Sequence, residues 1–399
     1  MSNEHIAILG AGQMGVTIAA AFLRRRFRVT LFDTSKQSVA TARQRVEAEL
    51  AMPRAANVTQ CCGAQCSLLS ANLACSDSLR GALLPQLENA CQSTFVIETI
   101  TEKLRAKSRL YAEIVPLLDN SAILVSNTST ISIDQLAATL PVVAKNVAGH
   151  NAPGITGRNA PFTTARFCGF HFFHPVRERS LVEIIRGRAT SLETLERATQ
   201  LARAIDKTPL VVNDGPGFVV NRLLNAYLSG ALQLLAEGAT IRQIDTAAEQ
   251  FGMAMGPFRI MDEIGLDVTM HAGWVLYKAF PDRVVPSPIL LELVHDGRLG
   301  RKTGCGFYRY ASSTVTTAIW ESPGTPHVEL EVKIAETFRG GQSEPLPLVT
   351  HDLILDHSIG EMSREGKRIL DDGIAATDAE IELAATLGLG FPQERWKGS

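Results

Sequence analysis

The chain has 399 residues, 45% of them hydrophobic and 20% charged, with a formal net charge of −2. At roughly 100–200 residues per domain, that length predicts two or three domains with a substantial core. The charge gives no electrostatic case for nucleic acid or an anionic membrane, and no apolar run nears the roughly 18 residues of a membrane helix.

Residues 6–9 form a continuous apolar run ending at Gly10, the pattern of a strand buried on both faces. Met14, Ile18 and Phe22 then recur at helical spacing, closed by basic residues 24–26, where cations suit the helix dipole. A second strand at 29–32 ends at Asp33, and 38–50 reads as a helix. The stretch 52–70 is polar and hard to assign. Its Cys61, Cys62 and Cys66 have no second set at zinc-ligand spacing and read as incidental thiols, so no metal is expected. A strand at 94–97 ends in Glu98, and a helix follows with Leu104, Tyr111, Val115 and Leu118 on one face. A strand at 122–125 then runs into Ser126-Asn127-Thr128-Ser129. This alternation predicts a doubly wound parallel sheet.

Residues 141–166 are rich in Pro and Gly and read as a long loop. Strands at 168–173 and 181–185 flank a turn with Pro175, followed by a helix at 192–205 and a strand at 210–212. Beyond residue 216 the pattern is helical only, at 217–236, 241–251, 262–279 and 287–296. The expected organisation is an α/β domain at 1–213, a helical domain at 214–310, a linker at 311–348 with room for one short helix, and a second, partial helical unit at 349–399. With no signal-peptide pattern at residues 1–5, a cytoplasmic enzyme is the expected class.

Gly10-Ala-Gly12-Gln13-Met14-Gly15 follows a strand and opens a helix. The first glycine permits a tight turn, the second lets a pyrophosphate approach the backbone, and the third lets helix and strand pack closely. Asp33, ending the second strand, is placed to accept hydrogen bonds from a ribose and favours NAD over NADP. His171 and Glu183 stand equally far from residue 177, the centre of the expected hairpin, and so face each other across it. A carboxylate there fixes the imidazole tautomer, which suits a base that takes an alcohol proton during hydride transfer. Ser129 lies just past the carboxyl end of a parallel strand, where ligands bind in such sheets.

These motifs occur with Ile97-Glu98-Thr-Ile-Thr-Glu102-Lys-Leu-Arg-Ala-Lys107, Gly215-Pro-Gly217-Phe-Val-Val-Asn221-Arg222 and Leu299-Gly-Arg-Lys-Thr-Gly-Cys-Gly-Phe-Tyr308. Together they resemble the L-3-hydroxyacyl-CoA dehydrogenase family over nearly the whole chain. Gly388-Leu-Gly-Phe-Pro392 further resembles the dehydrogenase half of the multifunctional fatty-acid oxidation enzymes. The resemblance implies a Rossmann-type domain followed by helical, 6-phosphogluconate-dehydrogenase-like C-terminal units. It implies NAD-dependent oxidation of a 3-hydroxyacyl-CoA to the 3-keto form, with an acyl-CoA thioester as partner and the chain a monomer or homodimer. By the same resemblance His171 is the acid/base and Glu183 its orienting carboxylate. Ser129 contacts substrate oxygen and cofactor, and Asn221 helps hold the thioester carbonyl. Glu102 and Lys107, which alone read as a solvated helix face, line the ribose and nicotinamide side, and Met14 and Asp33 the adenosine end.

Two features depart from the family. His174 replaces its usual Asn near the nicotinamide, and 42 positions separate Ser129 from His171, about twice the usual gap, so the 141–166 loop reads as a lid or as a surface insertion. The alternatives are a CoA-independent hydroxy-acid dehydrogenase of the same fold and a non-catalytic binding homologue.

Overall fold

The structure, a computed structural model, describes residues 4–52, 69–83, 94–118, 121–141, 162–310, 324–339, 350–393 and 395–396. Cys61, Cys62, Cys66 and most of the 141–166 loop lie outside the described residues. The chain divides into two compact units, Met1–Gly215 and Pro216–Ser399.

The first unit runs β1 (His5–Leu9), α1 (Gln13–Arg24), β2 (Arg28–Phe32), α2 (Lys36–Ala51), β3 (Leu73–Ser76), α3 (Leu79–Leu83) and β4 (Thr94–Glu98). It continues through α4 (Leu104–Ile114), β5 (Ile123–Ser126), α5 (Ile133–Ala137), β6 (Phe167–Phe172), β7 (Leu181–Arg186), α6 (Leu192–Ala204) and β8 (Thr208–Asn213). One sheet holds these strands in the order β3-β2-β1-β4-β5-β6-β7-β8. Every pair is parallel except the antiparallel β6–β7. Burial on both faces explains the unbroken apolar strands: β1, β4, β5 and β6 are buried throughout. Ile18 and Phe22 of α1 join Ile6 and Ile8 of β1 in the core cluster. Strand order reverses beside β1, with β2 on one side and β4 on the other, so the crevice at their carboxyl ends is the switch point where such sheets bind ligands. The sequence reading lacked β3, a partly exposed four-residue strand too short to show a period. The end of the expected 141–166 loop is a 3₁₀ turn, Thr164–Arg166, leading into β6.

The second unit contains α7 (Val220–Glu237), α8 (Ile241–Phe251), α9 (Pro257–Ile264), α10 (Leu266–Ala279) and α11 (Pro288–His295). Beyond them come β9 (Tyr308–Arg309), β10 (Thr325–Pro326), α12 (Val328–Arg339), α13 (His351–Leu355), α14 (Glu361–Asp371) and α15 (Asp378–Leu383). Three expectations need correction. The helix expected from 217 starts at Val220, because Gly217 and Phe218 adopt left-handed φ values of 73° and 50° and form a turn. The helix expected at 262–279 is two helices meeting at Gly265, whose φ of 100° no helix interior accommodates. The first of them starts earlier, at Pro257, a residue preorganised for a first helical turn. The second helical unit, expected at 349–399, breaks at Gly373 (φ 69°) and restarts at a capping box on Thr377.

Within this unit Arg222, 1% exposed, joins α7 to α14: Nε donates to Glu365 Oε1 at 2.6 Å, and the guanidinium pairs with Asp372 at 2.8 Å. Two buried aspartates organise the rest. Asp245 accepts from Phe258 N–H (2.9 Å) and Tyr308 O–H (2.6 Å), and Asp262 from Phe307 and Tyr308 N–H (2.9 Å each). The Leu299–Tyr308 motif is therefore a fold determinant: a Cβ on Gly306 would collide with the Asp262 carboxylate.

Candidate active site

The glycine turn separates packing from access. Gly10, at φ 114°, donates its N–H to Phe32 O at 2.8 Å, and a Cβ there would lie 2.9 Å from Thr99 O. A Cβ on Gly15 would collide with the Gly10 carbonyl oxygen, whereas one on Gly12 would meet nothing within 4 Å. Gly12 is exposed and caps α1 without a side-chain hydrogen bond, so the helix presents its first amides outward, with Gln13 exposed and Met14 half-buried beside them. Asp33 Oδ2 accepts from Ala11 N–H and Oδ1 from Ser35 N–H, each at 2.8 Å. Asp33 thus pins the turn itself, a duty beside the ribose contact expected from the sequence. A carboxylate has roughly four acceptor positions, so ribose hydroxyls can share it. An open second glycine, outward helix amides and an acceptor at the strand end fit a dinucleotide.

Beside this turn lies a buried charge network. Glu98, ending β4, accepts from Lys107 Nζ at 2.7 and 2.9 Å, Tyr111 O–H at 2.9 Å, Ser126 Oγ–H at 2.7 Å and Ile100 N–H at 2.8 Å. Lys107 is 1% exposed, which corrects its reading as part of a solvated helix face. Its Nζ also lies 3.3 Å from Glu102 Oε2. The other oxygen of Glu102 gathers the turn after β5: Thr128 Oγ–H (2.6 Å), Ser129 N–H (2.9 Å), Thr130 N–H (2.9 Å) and Thr130 Oγ–H (3.0 Å). Burial alone would raise the Glu102 pKa, but Lys107 and these hydrogen bonds hold it down to about 2.

β6 and β7 pair with His171 directly opposite Glu183. His171 is 5% exposed and Glu183 fully buried, with Nδ1 2.9 Å from Glu183 Oε2. A carboxylate only accepts, so Nδ1 carries the hydrogen and Nε2 is the nitrogen that exchanges a proton. The ring of Phe173 packs edge-on against the imidazole at 4.5 Å. In the next residues, Phe172 N–H donates to Asn127 Oδ1 at 2.9 Å, which ties the Ser129 turn to the strand bearing His171. His174 is exposed, with Nε2 3.5 Å from Gln13 Nε2 on the glycine turn. Desolvation by the surrounding protein lowers its pKa, opposed by Glu49 and Glu178 and aided by Arg177 and Arg179.

The first unit therefore assembles the Gly10–Gly15 turn with Asp33, the cluster of Glu102, Lys107 and Ser129, and the His171–Glu183 pair. Asn221 belongs to the second unit, half-buried in the first turn of α7. The sequence reading missed Glu98 and Asn127 as site residues. The available signal was a carboxylate closing an otherwise apolar strand, which must find donors to be buried. Among the described residues, no cluster of His, Cys, Asp or Glu could hold a metal ion, and no helix is long and apolar enough to cross a membrane.

Comparison with known proteins agrees with this architecture. The family model of the 3-hydroxyacyl-CoA dehydrogenase NAD binding domain matches residues 5–153 and 159–215, and that of the C-terminal domain matches 217–310. The chain is 31% identical to (S)-3-hydroxybutyryl-CoA dehydrogenase PaaH1 from Ralstonia eutropha, over 78% of this chain and 100% of that one, with a TM-score of 0.65. It is 25% identical to the dehydrogenase part of multifunctional enzyme 1 from C. elegans, over 98% of this chain and 79% of that one, with a TM-score of 0.64. A diketoreductase is also 25% identical, over 78% of this chain and 100% of that one, with a TM-score of 0.60. The chain belongs to the 3-hydroxyacyl-CoA dehydrogenase family. It is an oxidoreductase whose cofactor is NAD.

Proposed function

We propose that the protein interconverts (S)-3-hydroxyacyl-CoA and 3-ketoacyl-CoA thioesters, the reaction type of fatty-acid β-oxidation. The observation that carries this reading is the 2.9 Å His171–Glu183 hydrogen bond in the unit that bears the glycine turn. NAD, when bound, supplies the acceptor for the two electrons and the carbon-bound hydrogen of the alcohol. The residues holding it are Gly10, Gly12, Gln13, Met14, Gly15 and Asp33 toward the adenosine end. Glu102, Ser129 and His174 serve the nicotinamide end, with Lys107 acting from behind Glu102.

In the oxidative direction His171 Nε2 takes the alcohol proton, and the positive charge that develops on the ring faces the Glu183 carboxylate. In the reductive direction the same nitrogen returns it. Ser129 donates to the substrate oxygen, and Asn221 carries its role toward the thioester carbonyl by resemblance alone. The buried, hydrogen-bonded His171–Glu183 pair weighs against a non-catalytic homologue.

A second reading, a CoA-independent dehydrogenase, is favoured by the similarity to a diketoreductase. NADH consumption measured with 3-ketoacyl-CoA substrates of several lengths, beside free dicarbonyl compounds, separates the two. The proposal expects the thioesters to turn over at much higher kcat/KM. Preference for the free compounds would replace it with the second reading.

A further inference from the structure

We infer that Glu98 is a positioning residue for this reaction: through Lys107 and Glu102 it fixes the turn that presents Ser129. Glu98 can act in this way only if His171 and Ser129 carry the reaction as proposed above. Its placement is unusual for a carboxylate. It ends a strand buried throughout, directly between Leu9 of β1 and Ser126 of β5, at the switch point of the sheet. A buried carboxylate is tolerated only when its oxygens are saturated, and here α4 and the ends of β4 and β5 all supply donors.

The chain of contacts then runs outward. One ammonium, Lys107, is shared between Glu98 at 2.7 Å and Glu102 at 3.3 Å. Glu102 divides its oxygens, Oε2 toward Lys107 and Oε1 toward the 128–130 turn. Neutralising Glu98 would leave Lys107 facing Glu102 alone. In a low-dielectric interior that attraction strengthens and draws Glu102 off the turn. The turn then loses the acceptor that Thr128, Ser129 and Thr130 share. The adjacent Asn127, which holds Phe172 N–H beside His171, shifts with it.

Glu98→Gln tests this, since it keeps the shape and removes the charge. With acetoacetyl-CoA and NADH, kcat should fall between about ten- and a hundredfold, the range expected for a misplacement of about 1 Å. KM for the thioester should stay within about threefold, because the loss lies in the chemical step. The isotope effect from deuterated NADH should rise for the same reason. In a Ser129→Ala background, Glu98→Gln should lower kcat by distinctly less than it does in the wild type, since part of its effect runs through Ser129. If Glu98→Gln does not fold, Glu98→Asp, which keeps the charge but withdraws it from Lys107, should also lower kcat at an unchanged KM. A kcat within about twofold of wild type, or full additivity with Ser129→Ala, overturns the role of Glu98. Retained turnover in His171→Ala would instead overturn the reading beneath it.

Discussion

At the scale of single residues, the chemistry turns on which imidazole nitrogen is committed. Nδ1 of His171 is held by Glu183, so the carboxylate sets both the ring orientation and the tautomer. Glu183→Gln preserves size but removes the charge that faces the developing imidazolium. The expected outcome is a kcat lowered by a hundredfold or so, with NADH affinity unchanged, read by steady-state kinetics beside NADH fluorescence titration. An unchanged kcat would make the pair structural. His171 and Glu183 were legible in the sequence because hairpin register is local arithmetic about one turn. Glu98 was not, because Ser126 comes to it only through the pairing of β4 with β5, and Lys107 and Tyr111 only where α4 folds back on the end of β4. Lys107 looked solvated for the same reason.

At the scale of elements, the strand-turn-helix at residues 5–24 carries cofactor binding, and its glycines have separable duties. Gly12→Ala adds a methyl into open space, so stability should change by no more than about 0.5 kcal/mol. NADH affinity should nonetheless fall at least about tenfold, because the methyl occupies the pyrophosphate approach. Gly15→Ala drives a methyl into the Gly10 carbonyl and should cost about 1–3 kcal/mol of stability. Thermal unfolding paired with NADH titration distinguishes the two; equal stability losses would contradict this division. The turn was readable because each glycine answers a separate steric demand. The break at Gly265 was not, since a lone glycine inside an apolar helical pattern gives no sign of the φ it will adopt.

At the scale of the whole molecule, the most strongly shifted buried acids of the second unit and His5 with Glu102 of the first respond to pH in opposite senses. In the first, burial and then Arg28 push the His5 pKa down to about 4, and Glu102 is held at about 2. Both groups bind fewer protons folded than unfolded, so the stability they contribute is lost as pH falls below about 6.5, through the His5 range and then that of Glu102. In the second, burial pushes Asp245 up to about 7 and Asp262 to about 6, against the hydrogen bonds that favour their ionised forms. These groups bind more protons folded than unfolded, so stability is lost as pH rises from about 4 to about 7. Hydrogen exchange corrected for intrinsic rates should show protection rising around His5 and Glu102 and falling around Asp245 and Asp262 across that interval. Parallel trends would contradict this assignment. The change from strand-helix alternation to helices alone was legible as periodicity. These aspartates were not, because their donors are backbone amides and tyrosines that only the folded chain assembles.

The most direct measurement is turnover of acetoacetyl-CoA by His171→Ala, with NADH binding followed in the same sample. Turnover should fall at least about a hundredfold while NADH still binds with near-native affinity. Turnover preserved, or turnover and NADH affinity lost together, would show that this histidine is not the proton carrier.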